Sequence, residues 1–170
     1  MHVHEPSRRA TAEAIGTAAL VATVVGSGIM ATRLTDDVAV QLLVNALATV
    51  AALAVLIWAL GPISGAHFNP VVTLVALVRR EVGPAEAGRY VVAQIIGGLA
   101  GTALGNLMFE LPAWHASGHV RATPNLWLGE IVATAGLLSL IGALTRTGNG
   151  RLGPALVPAW IGAAYFFTSS

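Results

Sequence analysis

The sequence predicts an all-α membrane protein, and three observations lead to that class: its composition, its scarcity of charges and its long apolar runs. Of the 170 residues, 55% are hydrophobic and 10% are charged. So few charged groups do not cover a water-soluble surface, which excludes a soluble enzyme. Residues 38–62 contain no Asp, Glu, Lys or Arg, and roughly 20 apolar residues are enough for a helix to cross a bilayer.

Five apolar runs approach the length of a membrane span. They lie at about 10–31, 38–60, 85–109, 126–144 and 152–167, the last being the shortest. The first exceeds the core of a usual signal peptide and further spans follow it, so we expect it to be retained. Between the second and third runs, the apolar residues 71–78 are too few to cross a bilayer. We expect that segment to enter the membrane and return, or to be buried in protein.

The placement of arginine predicts that the N-terminus lies in the cytoplasm. Cytoplasmic loops of membrane proteins collect basic residues, and the chain has no Lys. With the N-terminus inside, most arginines fall on the cytoplasmic side: Arg8, Arg9, Arg79, Arg80, Arg89, Arg146 and Arg151. Only Arg33 and Arg121 fall outside. A net charge of +1 and the absence of Cys predict no nucleic-acid partner, no disulfide and no thiolate metal site.

Matched polar pairs predict an inverted repeat within one domain that covers residues 1–170. Glu13 and Thr17 in the first span have counterparts at the same separation in the fourth, Glu130 and Thr134. An odd number of crossings precedes the second copy, which therefore enters from the opposite side. We expect a first repeat at about 10–109 and a partial second repeat at about 126–170.

Glu13 and Glu130 need a reason to lie in membrane spans, because a carboxylate there is costly unless it faces the protein interior. One reading is that each accepts hydrogen bonds from the backbone of an irregular loop. Another is an interfacial Glu at a helix start, where the helix dipole favours it. Proton transport by these carboxylates is a third and less favoured reading.

The loop before the short apolar segment carries the chemistry that we expect. Asn69 is a good N-cap and Pro70 suits a first helical turn, so a half-helix is predicted from Asn69 to about Val78. Its N-terminus would point at the membrane midplane, with unpaired N–H groups and the positive end of the dipole. Backbone carbonyls of Gly65, Ala66 and His67 would supply acceptors. Donors and acceptors together suit water or polyols and disfavour cations.

His67 is predicted to be a structural residue that lines the pore. A lone His can also be a metal ligand or a proton relay, but no carboxylate or second His lies near it in sequence. His115 and His119 lie in an external loop, where we expect them to be solvated. No metal, cofactor or catalytic residue is predicted.

Residues 64–73 carry a specific resemblance. They match the pattern Ser-Gly-x-His-x-Asn-Pro-Ala-Val-Thr at every fixed position except Val71. This pattern is the signature of the major intrinsic protein family, the aquaporins and glycerol facilitators, which the chain resembles over nearly its whole length. Further matches are Glu13, Gly16, Thr17, Gln94 and Glu130. The resemblance implies that Ser64 shapes the loop, within a right-handed bundle of six helices and two half-helices that assembles as a tetramer with one pore per subunit.

Two departures from the family pattern affect the expected function. Val71 replaces the usual Ala and adds bulk inside the half-helix. The chain ends at Ser170, where a second Asn-Pro-Ala loop would begin, so we expect the second half-helix, the filter arginine and a sixth span to be missing. Counting along the helices places Thr49, and Gly162 or Ala163, at filter positions. Such small residues predict passage of glycerol-like solutes.

Together, these features predict a passive channel in the inner cell membrane for water or small uncharged solutes. It would work in the lipid bilayer and form a homotetramer if complete. One alternative is a truncated fragment that does not conduct. A weaker alternative is a secondary transporter, since inverted repeats and broken helices occur in both classes; saturable, ion-dependent uptake would distinguish it.

Overall fold

The computed structural model describes residues 5–114, 118 and 122–168, and these residues form helices and connecting segments without any strand. The helices are α1 (Pro6–Leu34), α2 (Val38–Ser64), α3 (Pro70–Val78), α4 (Pro84–Leu107), α5 (Pro124–Arg146) and α6 (Gly153–Phe167), with a 3-10 turn at Gly150–Leu152. The predicted all-α class is confirmed. Arg121, His115 and His119 fall outside the described residues.

Four helices, α1, α2, α4 and α5, are long and apolar enough to cross a membrane. They correspond to the first four predicted spans. The fifth predicted span corresponds to α6, which has only 15 residues and so falls short of the roughly 20 that a crossing needs. Helix α2 extends beyond the predicted end at residue 60. It continues to Ser64, and Pro62 lies within its last turn.

Helix α1 packs against both α2 and α4. The contact with α4 is a close approach of two backbones, since a Cβ added to Gly97 would overlap Ala14 O and one added to Gly101 would overlap Ala18 O. Both pairs advance in the same direction along the chain, so the two helices run parallel. Small residues at this interface therefore let α4 bring its polar side chains against α1.

The remaining helices pack against one another in pairs. Helix α3 packs on α4, α2 packs on α6, and α5 packs on α6. Between α5 and α6, the indole of Trp160 occupies the space that a side chain at Gly136 would need, and its Nε1 donates to Ala133 O at 3.0 Å. Helices from both halves of the chain thus pack together, through the contact of α2 with α6.

The loop between α2 and α3 turns sharply because three of its residues adopt left-handed backbone conformations. Gly65 caps α2 with φ 92° and donates its N–H to Gly61 O. Ala66 and Phe68 have φ values of 53° and 48°, which costs a residue with a Cβ some strain and persists only where the surroundings hold it. Two hydrogen bonds from the loop backbone, His67 N and Phe68 N, to the buried carboxylate of Glu13 provide that hold.

Candidate functional site

Asn69 begins α3, as the sequence predicts. Its side-chain oxygen accepts a hydrogen bond from Val71 N at 2.7 Å, and Pro70 occupies the first helical position, where no N–H is needed. Helix α3 has 9 residues, so it is about 14 Å long and covers roughly half of a bilayer core. The structure therefore contains the predicted half-helix.

Glu13 holds the loop from behind. Its carboxylate is completely buried and accepts four hydrogen bonds. One oxygen accepts from Ser64 Oγ at 2.6 Å and from His67 N at 3.0 Å, and the other accepts from Phe68 N at 2.7 Å and from Gln94 Nε2 at 2.8 Å. Four donors fill the acceptor positions of the two oxygens. One side chain of α1 thus joins the end of α2, the loop and α4.

Tyr90 is a second support that sequence reasoning missed. Its side chain is fully buried in α4, and its hydroxyl donates to Ser64 O at 2.6 Å. A signal was available, because Tyr90 precedes Gln94 by four residues and residues at that spacing share one face of a helix. The face of α4 that carries Gln94 therefore contacts the end of α2 through Tyr90, and Glu13 and Thr73 through Gln94.

His67 is fixed on both sides of its ring. Its Nδ1 lies 3.0 Å from Thr73 Oγ1, and its ring meets the Tyr90 ring edge-on at a centroid distance of 5.4 Å. Gln94 Nε2 also donates to Thr73 Oγ1 at 2.9 Å, and this hydroxyl lies 3.2 Å from Asn69 O. If Thr73 gives its single proton to Asn69 O, His67 must donate from Nδ1.

The loop faces a cavity of about 710 Å³. Its polar side is formed by the loop residues Gly65, Ala66, His67, Phe68 and Asn69. The opposite side is apolar and comes from α1, α2, α5 and α6, for example Leu20, Ile57, Leu137 and Ile161. Arg79, Glu81 and Arg151 also line the cavity, and Arg79 Nε lies 2.8 Å from Glu81 Oε1. A polar strip on an apolar wall is a suitable path for a small neutral molecule.

Other predicted site residues lie elsewhere. Thr49 is buried and bonded to Asn45 O at 2.8 Å and to the Tyr165 hydroxyl at 3.1 Å, while Ala163 is exposed, and neither lines the cavity. Glu130 is exposed, and within the described residues no hydrogen bond reaches its carboxylate.

Pro70 and Val71 follow Asn69 on α3 but do not line the cavity either, and the Val71 side chain is exposed. Metal chemistry finds no support in the described part of the chain, where no three His, Cys, Asp or Glu side chains converge.

The model of the major intrinsic protein family matches residues 1–169. The chain belongs to the major intrinsic protein family. Curated relatives include aquaglyceroporin AqpS of Rhizobium meliloti, 49% identical over 100% of this chain and 72% of its own length. Porcine aquaporin-5 is 34% identical over 67% of this chain and 44% of its own. The glycerol uptake facilitator protein-like 6 of Lactiplantibacillus plantarum is 38% identical over 56% of this chain and 41% of its own.

Membership of this family assigns the chain to a class of passive channels for water, glycerol or both, and not to a class of enzymes. It also identifies a multi-pass membrane protein that works in the lipid bilayer, in agreement with the four helices of membrane length. The chain covers 72% of the length of aquaglyceroporin AqpS but less than half the length of several other relatives.

Proposed function

We propose that this major intrinsic protein conducts water and small uncharged solutes passively, and that the cavity beside Asn69 is part of the path. The single observation that carries the proposal is the capped N-terminus of α3 at Asn69, next to a loop that lines the cavity with Gly65, Ala66 and His67. The Asn69 amide and the first N–H groups of α3 act as donors, and the loop carbonyls act as acceptors. A permeating molecule exchanges its water contacts for these groups.

Ions do not gain contacts that replace their water contacts in this way. The positive end of the α3 dipole disfavours cations, and the apolar wall opposite the loop offers no replacement for an ion's hydration shell. The carboxylate of Glu13 is buried behind the loop and is occupied by four donors, so it does not present negative charge to the path. We assign Glu13 and Ser64 to holding the loop and His67 to lining it.

Glycerol-like solutes are the proposed cargo together with water. The printed names of two relatives, an aquaglyceroporin and a glycerol uptake facilitator-like protein, support this choice. Thr49 and Ala163 remain the proposed filter positions because both side chains are small, and they lie outside the cavity beside Asn69. Pro70 would fix the first turn of α3. Val71, which is bulkier than the usual Ala, would reduce the space beside that turn.

Orientation, location and assembly follow from the same proposal. The arginine distribution favours a cytoplasmic N-terminus in the inner cell membrane. The first repeat would cover residues about 10–109 and the second, inverted, about 126–170, with Glu130 supporting a second loop as Glu13 supports the first. A homotetramer with one pore per subunit is the proposed assembly.

Shrinkage and re-swelling of proteoliposomes that contain the full-length protein test the proposal. Stopped-flow light scattering should give water and glycerol rates above those of protein-free vesicles. These rates should rise linearly with the solute gradient and should not respond to a proton or sodium gradient. Saturable uptake that depends on an ion gradient would indicate a secondary transporter instead. Rates equal to those of protein-free vesicles would contradict the proposed function.

A further inference from the structure

Thr17 lacks the local hydrogen bond that several other helical Thr side chains of this chain form. Several helical Thr side chains bond to the carbonyl four residues earlier: Thr49 Oγ1 donates to Asn45 O at 2.8 Å and Thr102 Oγ1 donates to Gly98 O at 3.0 Å. Thr17 is only 6% exposed, yet its hydroxyl has no hydrogen-bond partner among the described residues. The Thr17 hydroxyl therefore does not donate to Glu13 O, the carbonyl four residues earlier in its own helix.

Gln94 holds a second unpaired polar atom. Its Nε2 donates to Glu13 and to Thr73, which fixes the orientation of the amide because the Glu13 carboxylate needs a donor. The opposite atom, Oε1, is buried and has no partner in the described part of the chain. Glu86 Oε1 has no hydrogen bond by the same measure, but it forms an ion pair with Arg9. Thr17 and Gln94 are therefore the pair that needs an explanation.

Thr17 and Gln94 both lie at the contact of α1 with α4. Gln94 bonds to Glu13, and Thr17 lies one helical turn after Glu13 on the same face of α1. On α4, Gly98 lies one turn after Gln94, and a Cβ added there would meet Thr17 Cγ2 at 4.0 Å. The Thr17 methyl thus packs towards Gly98, so both unpaired atoms belong to the buried contact of α1 with α4, within one helical turn of Glu13.

We propose that a single buried water molecule bridges Thr17 Oγ1 and Gln94 Oε1. The hydroxyl is a donor in need of an acceptor, the amide oxygen is an acceptor in need of a donor, and water supplies both functions. Buried polar groups in native proteins are nearly always paired, either with protein or with such a water. Neither residue lines the cavity, so this water is structural and does not take part in conduction.

The bridge has a consequence for the loop. It holds the Gln94 amide at its oxygen end while Glu13 and Thr73 hold the nitrogen end, so that the amide keeps presenting a donor to Glu13. The proposal explains why Thr17 accompanies Glu13, since both then serve one network behind the loop. It does not depend on what the cavity conducts.

Replacing Thr17 by Val tests the bridge through the direction in which the unfolding midpoint shifts. The two side chains have the same shape and differ in the hydroxyl. An unpaired buried hydroxyl is unfavourable, so its removal would leave the unfolding midpoint unchanged or raise it. Removal of a water-bridged hydroxyl should instead lower the midpoint by about 2–4 °C. The matched control is Thr102→Val on α4, which loses only the bond to Gly98 O and should shift the midpoint less. A Thr17→Val midpoint at or above that of the unchanged protein overturns the proposal.

A second measurement does not depend on whether the variant folds. An experimental density map of the unchanged protein, at a resolution that shows other buried waters, should contain a peak within about 2.7–3.2 Å of both Thr17 Oγ1 and Gln94 Oε1. No peak there, or a Thr17 hydroxyl that donates to Glu13 O, contradicts the bridge. Neither readout requires conduction, so the bridge and the proposed channel function stand or fall separately.

Discussion

Gln94 Nε2 lies 2.8 Å from Glu13 Oε2, and this bond joins α4 to α1 directly behind the loop that lines the cavity. The other three bonds of the same carboxylate go to Ser64, His67 and Phe68. Three helices and a strained loop thus meet at one buried group. Removing a donor or the acceptor at this point should therefore affect the loop more than similar changes elsewhere.

Glu13→Gln tests the carboxylate itself. The new NH₂ group would face two donors, so at least one bond is lost and one buried group is left unpaired. We expect the free energy of unfolding in detergent to fall by about 3 kcal/mol, and solute flux to fall with it. Asp36→Asn, a charge removal at an exposed position, is the control and should change little. Equal effects of the two variants would contradict the role of Glu13.

Tyr90→Phe removes only the hydroxyl that donates to Ser64 O at 2.6 Å. The buried carbonyl loses this partner, so the free energy of unfolding should fall by about 1–2 kcal/mol. Tyr165→Phe is the matched control, because the Tyr165 hydroxyl bonds to Thr49, whose hydroxyl keeps a bond to Asn45 O. A larger loss in the control than in Tyr90→Phe would show that Tyr90 does not support the loop.

Gly16→Ala places a Cβ where the Phe68 ring lies. Because the ring must move and its loop with it, we expect a destabilisation of about 1–3 kcal/mol and a lower rate of solute passage. Gly88→Ala on α4 is the opposite case, with nothing within 4 Å of the added Cβ. It should stabilise the helix by about 0.5–1 kcal/mol. Chemical unfolding followed by circular dichroism measures both, and shifts of the same sign would refute the packing argument.

Asn69→Ala and Asn69→Asp separate capping from the amide donor. The Ala variant loses the bond to Val71 N and should cost about 1 kcal/mol of stability. The Asp variant keeps an oxygen for the cap, so its stability should stay close to that of the unchanged protein, but it adds a negative charge beside the cavity. Proteoliposome assays should then show slower glycerol passage and a new cation leak. Unchanged selectivity in the Asp variant would place Asn69 away from the path.

Much of the site follows from local chemistry. The cap at Asn69 and the proline after it predict where α3 begins, because both satisfy requirements of a helix start that depend on neighbouring residues only. Glu13 stands out for a similar reason, since the cost of a carboxylate in a membrane helix demands partners. The roles of Tyr90 and Gly16 do not follow from local sequence, because they depend on which group of another segment packs against them.

Thr49 and Ala163 show where counting along a chain stops being sufficient. Their positions on α2 and α6 follow from helical periodicity, but their surroundings do not: the Thr49 hydroxyl meets that of Tyr165, and Ala163 is exposed. Glu13 and Glu130 make the same point, because similar local sequences place one carboxylate among four donors and leave the other exposed. Their filter and loop roles stay predictions.

The sequence by itself determined the all-α membrane class, the approximate limits of the long helices, the half-helix and the family. These properties depend on hydropathy, helix capping and a short motif, which act over a few residues to one membrane span. Only the tertiary structure decided which groups meet at Glu13, how α4 approaches α1 through glycine, and which residues face the cavity. Those outcomes depend on the orientation of one helix against another, which is set by packing and by the pairing of buried polar atoms across the whole chain.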